Sequence, residues 1–283
     1  MTELKNQFIT VKISERGAEL KSLTCGGVEY IWQGDAKFWG SSCPIVFPIC
    51  SGLKEGKYTF EGKEYSLQKH GYVRFKTFEL ESADDTRAVF LHTSDDETRA
   101  QFPFDYELRV IFTLEEKSLR VDYAVKNTGK GDMYFNIGGH EGYATPEGIE
   151  EYDVIFSDSI SLYASQLEEN LLSDKTVTVM EDASVLPLKE EYFAVDALIF
   201  RDIDSRSLTL RNRNSGRALR VDYPDAEHLL LWQVMGAPYI CIEPWNGLPD
   251  VVGSGYDITQ KVGITALSAG DEFVFSHTLT VVQ

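Results

Sequence analysis

An all-β fold, a sandwich or a barrel, is predicted by three observations: period-two alternation of apolar residues, turn signals between the alternating runs, and an almost complete lack of helical patterning. In Tyr106-Glu-Leu-Arg-Val-Ile-Phe-Thr-Leu114, the residues Tyr106, Leu108, Val110, Phe112 and Leu114 share one face, while Glu107, Arg109 and Thr113 share the other. Successive side chains of a strand point to opposite sides, so such a run buries one face and wets the other. Leu119–Val125 and Phe273–Val281 repeat the pattern, and shorter runs recur at Phe8–Ile13, Ala88–His92, Ser207–Arg211, Ala218–Tyr223 and Leu229–Val234. Asn127-Thr-Gly129, Gly26-Gly27, Glu61-Gly62 and Asn214-Ser-Gly216 supply the turns. Ser161–Leu172 is the best helix candidate. No linker, repeat or low-complexity tract divides the chain, so one domain over residues 1–283 is expected.

The chain has 283 residues and a net charge of −18. Binding nucleic acid or an anionic membrane needs a basic footprint, so neither is an expected partner. Aromatics are 12% of the chain and spread along it, which argues against disorder. Cys25, Cys43, Cys50 and Cys241 form no C-x-x-C pair and show no metal-ligand spacing with histidine. They are expected to be reduced and mostly buried, in a cytoplasmic protein that holds no metal. The N-terminal stretch lacks the basic-then-apolar pattern of a signal peptide, and no apolar run approaches the roughly 20 residues that span a bilayer.

Five histidines occur. His92, His228 and His277 lie in or beside alternating strands and read as core or surface residues. His70 and His140 keep different company, in Lys69-His-Gly-Tyr-Val-Arg74 and Asn136-Ile-Gly-Gly-His-Glu-Gly142. Glycine beside a polar side chain lets the backbone take unusual angles or approach a ligand closely. A third feature is Tyr239-Ile-Cys-Ile-Glu243-Pro-Trp-Asn-Gly247, where a carboxylate ends an apolar strand next to a tryptophan. Apolar surroundings raise a carboxylate's pKa and make it a better base, and a flat indole suits a sugar ring.

Seven ordered stretches now carry a family resemblance: Gly17–Leu23, Glu29–Gly34, Phe47–Ile49, His70–Arg74, Phe102–Asp105, Asn136–His140 and Ile242–Gly247. The chain resembles the aldose 1-epimerase (galactose mutarotase) superfamily, in its bacterial epimerase-like branch. The resemblance implies a β-supersandwich of twisted, mostly antiparallel sheets with an open sugar-binding cleft and no cofactor. It implies that Glu243 is the general base and His140 the general acid. It further implies that His70, Arg74 and Asp196 contact the sugar, beside the Trp245 indole that the strand motif already offers for stacking. One position departs from the family pattern: Gly52 stands about where an arginine often follows the Phe-Pro dipeptide. That departure bears on substrate preference and on catalytic competence.

Mutarotation interconverts the anomers of a free sugar through the open-chain aldehyde. A base takes the proton of the C1 hydroxyl and an acid protonates the ring oxygen, so one acid and one base suffice. Glu243 as carboxylate and His140 as imidazolium fit these roles. Two alternatives share the fold. A non-catalytic carbohydrate-binding protein would keep an aromatic platform of Trp245, Tyr72 and Tyr143. A hexose-phosphate mutarotase would add a basic cluster at the cleft, for which Arg74 is the main candidate. A glycosidase needs two carboxylates flanking the scissile bond, and only one sits in such a motif here.

Overall fold

The computed structural model describes residues 1–169 and 171–282. Its described residues are almost all strand, turn and loop, and every pairing between named strands is antiparallel. Strands Thr2–Lys5, Ile9–Ser14, Glu19–Cys25 and Val28–Glu29 form a four-stranded meander. A second, far larger sheet of 15 strands winds through the rest of the molecule.

The strongest alternating runs fold as their pattern predicts. Tyr106–Glu115 buries Tyr106, Leu108, Val110, Phe112 and Leu114 and turns the intervening residues outward. There Arg109 pairs with Glu81 and Glu107 at 2.8 Å. Ser118–Asn127 pairs with it, Glu272–Val281 pairs with Ser118–Asn127 in turn, and together they extend the same buried face.

The helix expected over Ser161–Leu172 does not form, though position 170 lies outside the described residues. The rest of the segment belongs to a long hairpin of Tyr152–Glu168 and Leu171–Pro187. Register shifts interrupt this hairpin between Ile155 and Ile160 and at three later points. Each bulge breaks the period-two spacing of buried side chains, which leaves an irregular apolar pattern that imitates a helical one. The one α-helix among the described residues is short, Asp96–Gln101. Asp95 and Thr98 cap it reciprocally, the Asp95 carboxylate accepting from the Thr98 N–H (2.7 Å) and the Thr98 hydroxyl from the Asp95 N–H (2.8 Å). No helix among the described residues is long and apolar enough to cross a membrane.

The part of the large sheet that matters for function runs, in spatial order, through Ile45–Val46, Gly138–Gly139, Tyr239–Trp245, His228–Trp232 and Leu198–Phe200. All seven residues of Tyr239–Trp245 are buried. A strand covered on both faces is expected to read as a continuous apolar run, and that is how Tyr-Ile-Cys-Ile-Glu-Pro-Trp reads apart from its one carboxylate.

Candidate active site

Alternation along Tyr239–Trp245 decides where Glu243 points. Ile240 and Ile242 enter the main core. Tyr239, Cys241, Glu243 and Trp245 take the opposite face, Tyr239 and Cys241 packing with Trp32, Trp39 and Trp232. Glu243 is 2% exposed. His140 comes from the neighbouring chain segment, between Gly138, which pairs with Trp245, and Glu141, which pairs with Ile242. This register sets His140 opposite Glu243, with Nδ1 3.5 Å from Oε1.

Two local features hold that register. Gly138 lies against the indole of Trp245, where a Cβ would meet Cδ1 at 2.3 Å, so only glycine fits. Asn246 ties the two motifs together, its Oδ1 accepting from the Ile137 N–H at 2.7 Å.

His70 reaches the same cleft from a strained turn. Its own φ is +67° and that of Gly71 is +66°. A Cβ on Gly71 would meet the Phe47 carbonyl oxygen at 2.1 Å. A left-handed histidine backbone costs roughly 1–3 kcal/mol and persists only where the surroundings impose it. Here Ser51 imposes it from both sides. The Ser51 carbonyl accepts from the His70 N–H (2.7 Å), and the Ser51 N–H donates to His70 Nδ1 (3.2 Å). Because Nδ1 accepts, the neutral ring carries its proton on Nε2.

His70, His140 and Glu243 line one cleft together with Asp196, Trp245, Trp232, Ser51 and Lys69. The His70 and His140 rings stand edge to face at 5.3 Å. Trp39 stacks on His140 at 4.9 Å with 25° between the rings. Lys69 is exposed and Asp196 half-buried, so the charged residues sit at the rim and the histidines and Glu243 at the floor.

Burial dominates the electrostatics of the floor. It pushes the Glu243 carboxyl well above the usual carboxylate range, with help from the charges of Glu141 and Asp196 and against the opposing pull of Lys69. It lowers His140 to about 3, with Arg74 and Lys69 adding to the effect. His70 moves well down for the same first cause, then through His140, Lys69 and Arg74. This corrects the sequence expectation of a resting imidazolium: both directions favour uncharged groups, with the proton on Glu243 and neutral imidazole beside it. His140 Nδ1 and Glu243 Oε2 are buried and make no hydrogen bond.

Arg74 does not line the cleft. It lies behind the His70 turn, with Nη2 donating to the Lys69 carbonyl (3.0 Å), its guanidinium over the Phe75 ring, and Nε buried without a partner. Trp245 borders the cleft but is 1% exposed, and its Nε1–H is engaged by the Gly139 carbonyl at 2.9 Å. Tyr72 and Tyr143 are buried away from the cleft. The aromatic faces nearest His140 are instead Trp39 and Trp232. Neither carries a sequence signal, for each stands outside the glycine-flanked motifs. Gly52 also lies off the cleft wall, and a Cβ there would meet nothing within 4 Å.

A model of the aldose 1-epimerase family matches residues 1–265 of this chain, the span that holds every residue of the cleft. The chain belongs to the aldose 1-epimerase family. Protein LacX, plasmid, of Lactococcus lactis subsp. lactis is 34% identical over 298 residues, covering 99% of both chains. A galactose mutarotase related enzyme from Lactobacillus acidophilus superposes with a TM-score of 0.94 at 31% identity, covering 100% of this chain and 97% of that one. A galactose mutarotase-like protein from Lactobacillus casei ATCC 334 superposes with a TM-score of 0.93 at 28% identity, covering 99% of each. The β-supersandwich expected from the sequence is thus the fold of this aldose 1-epimerase family member.

His92, His228 and His277 are all buried. His277 sits beside a buried carboxylate, although neither ring nitrogen makes a hydrogen bond. Its Nε2 lies 3.0 Å from Oε1 of Glu141, the residue after His140. Tyr123 donates to the same oxygen at 3.3 Å. His140 and Glu141 therefore face opposite ways, one into the cleft and one into the core.

Proposed function

We propose that this protein is an aldose 1-epimerase that interconverts the α and β anomers of a free hexose by acid–base ring opening and closure. The observation that carries the reading is the buried approach of His140 Nδ1 to Glu243 Oε1 at 3.5 Å on the floor of a solvent-open cleft. The pair holds one proton between two groups, so it always offers one acceptor and one donor. In the productive arrangement, Glu243 as carboxylate takes the C1 hydroxyl proton and His140 gives a proton to the ring oxygen. The C1–O ring bond breaks, the aldehyde turns, and the roles reverse as the ring closes on the other carbonyl face.

Reaching that arrangement needs the proton to pass from Glu243 to His140. Sugar hydroxyls entering the cleft supply polar partners for the carboxylate, and His70 Nε2–H adds a donor from the side. Asp196 at the rim accepts from sugar hydroxyls, and the Trp232 edge closes the apolar wall. Each acid or base contribution of this kind is worth roughly 10²- to 10⁴-fold in rate.

A second reading, a mutarotase of hexose phosphates, is favoured by Lys69 at the cleft rim. In a chain of net charge −18, Lys69 forms no salt bridge among the described residues. An anionic substituent on the sugar would complement it. Polarimetry of freshly dissolved α-glucose, α-galactose and their 6-phosphates tests both readings. Acceleration of the free sugars that is lost in Glu243→Gln supports the first, and acceleration confined to the phosphates supports the second. No acceleration of any of them, with retained sugar binding, identifies a carbohydrate-binding protein instead.

A further inference from the structure

We propose that His140, Cys241 and Glu243 form an inhibitory binding site for a thiophilic divalent cation of the zinc type. One ligand atom from each residue lies within 4.8 Å of the other two, and all three residues are buried. Cys241 and Glu243 share a face because they stand two apart on one strand, and His140 faces them from the neighbouring segment. Some point lies within about 2.8 Å of all three atoms, against zinc–ligand bonds of about 2.0–2.3 Å. A small rotation of the glutamate and cysteine side chains closes the difference.

The donors are also vacant. His140 Nδ1 and Glu243 Oε2 have no hydrogen-bond partner although both atoms are buried. Imidazole, thiolate and carboxylate together select zinc-like ions over magnesium or calcium, which prefer all-oxygen sets. Charge favours the site too. Binding releases the thiol proton and the carboxyl proton to solvent, and a dication with thiolate, carboxylate and neutral imidazole sums to zero. A neutral cluster avoids the cost of leaving net charge in a buried place. Two of the three ligands, His140 and Glu243, line the cleft.

This inference rests on the proposed function only for its consequence. If His140 and Glu243 move the proton, a cation held by both stops mutarotation. Occupancy itself is measured without any turnover. The protein, reduced and freed of metal by a chelator, is titrated with Co²⁺ while thiolate-to-cobalt charge-transfer absorbance is followed, then with Zn²⁺ as competitor. One equivalent of cobalt with a thiolate band, displaced by zinc, is expected. Cys241→Ser should abolish the band and weaken zinc binding at least about 10-fold, the scale on which single metal-site changes act. Cys25→Ser should change neither. Where the wild type interconverts anomers, zinc should inhibit it, and the Cys241→Ser protein should need at least about 10-fold more zinc for half-inhibition relative to its own zinc-free rate. Cys241→Ala repeats the binding arm if the serine variant does not fold. Absence of a stoichiometric thiolate band, or the same band and affinity in the Cys241 variants, overturns the site. Loss of activity with an intact cobalt band would instead count against the proposed function alone.

Discussion

Two buried carboxylate–histidine pairs lie back to back in this molecule. Glu243 and His140 face the cleft, while Glu141 and His277 face the core, and the chain crosses from one to the other in the single step from residue 140 to residue 141. The core pair is the closer, at 3.0 Å against 3.5 Å, and Tyr123 adds a hydroxyl to it. Nothing from outside can reach it. Both pairs leave buried atoms without a hydrogen bond, His140 Nδ1 and Glu243 Oε2 in the cleft and both His277 nitrogens and Glu141 Oε2 in the core, but the cleft pair is the looser and borders an opening. A buried pair sealed inside the core serves structure, whereas a buried pair with spare donor and acceptor capacity beside an opening can serve a ligand.

The largest effect should separate the pairs by activity. Glu243→Gln is expected to lower the rate of anomer interconversion by about 10²- to 10⁴-fold, the span of a lost acid–base group, as measured by polarimetry. Glu141→Gln should lower it far less. Equal losses in the two variants would erase the distinction. Next in size is an effect on stability. His277→Leu removes a fully buried ring packed against Glu141 in the core, and a buried substitution of this kind typically costs about 0.5–3 kcal/mol. Calorimetry should show a drop in Tm, while Glu243→Gln leaves Tm equal or higher.

The pH dependence follows from the directions of the shifts. Glu243 has a folded pKa above its unfolded one, so the stability it contributes is full below the ordinary carboxylate range and is lost as pH rises through the folded value. The Tm advantage of Glu243→Gln should therefore widen as pH rises. His140, lowered to about 3 from the usual 6.5 or so, behaves oppositely: stability falls as pH drops from about 6.5 toward 3. Thermal scans of wild type and Glu243→Gln from acid to alkaline pH check the sign. A gap that narrows with rising pH would contradict it.

Smaller effects should come from the walls. Trp39→Leu removes the flat face stacked on His140, and a ring pair of this kind contributes about 0.5–1.5 kcal/mol, so kcat/KM should fall by about 2- to 10-fold with the fold intact. Gly52→Arg meets open space and should change stability by no more than about 0.5 kcal/mol. A lower KM for sugar in that variant would show that the departure at position 52 weakens substrate binding.

The three floor residues were legible because their chemistry coincides with local punctuation. His70 and His140 sit beside glycines that the backbone needs, and Glu243 is the single charge in an apolar strand. The walls were not legible. Trp39 and Trp232 reach His140 through packing across the sheet, which no spacing in the chain encodes. Trp245 was marked by its motif, yet its nitrogen is spent on the Gly139 carbonyl, and only coordinates reveal that. Arg74 sits in a floor motif but is turned away behind it. The resting protonation state is not legible either, because the burial that lowers His140 belongs to the folded molecule. In the fold, regular alternation gave the outer strands readily, and the bulged hairpin from Tyr152 to Pro187 hid its period and passed for a helix in part.

The central claim is that Glu243 and His140 together move the proton of a bound sugar. A crystal structure with glucose or galactose soaked into the cleft tests it most directly. The account requires the C1 hydroxyl and the ring oxygen to lie within about 2.6–3.2 Å of Glu243 and His140 respectively. A sugar seated in the cleft with C1 turned to solvent, away from both side chains, would contradict it.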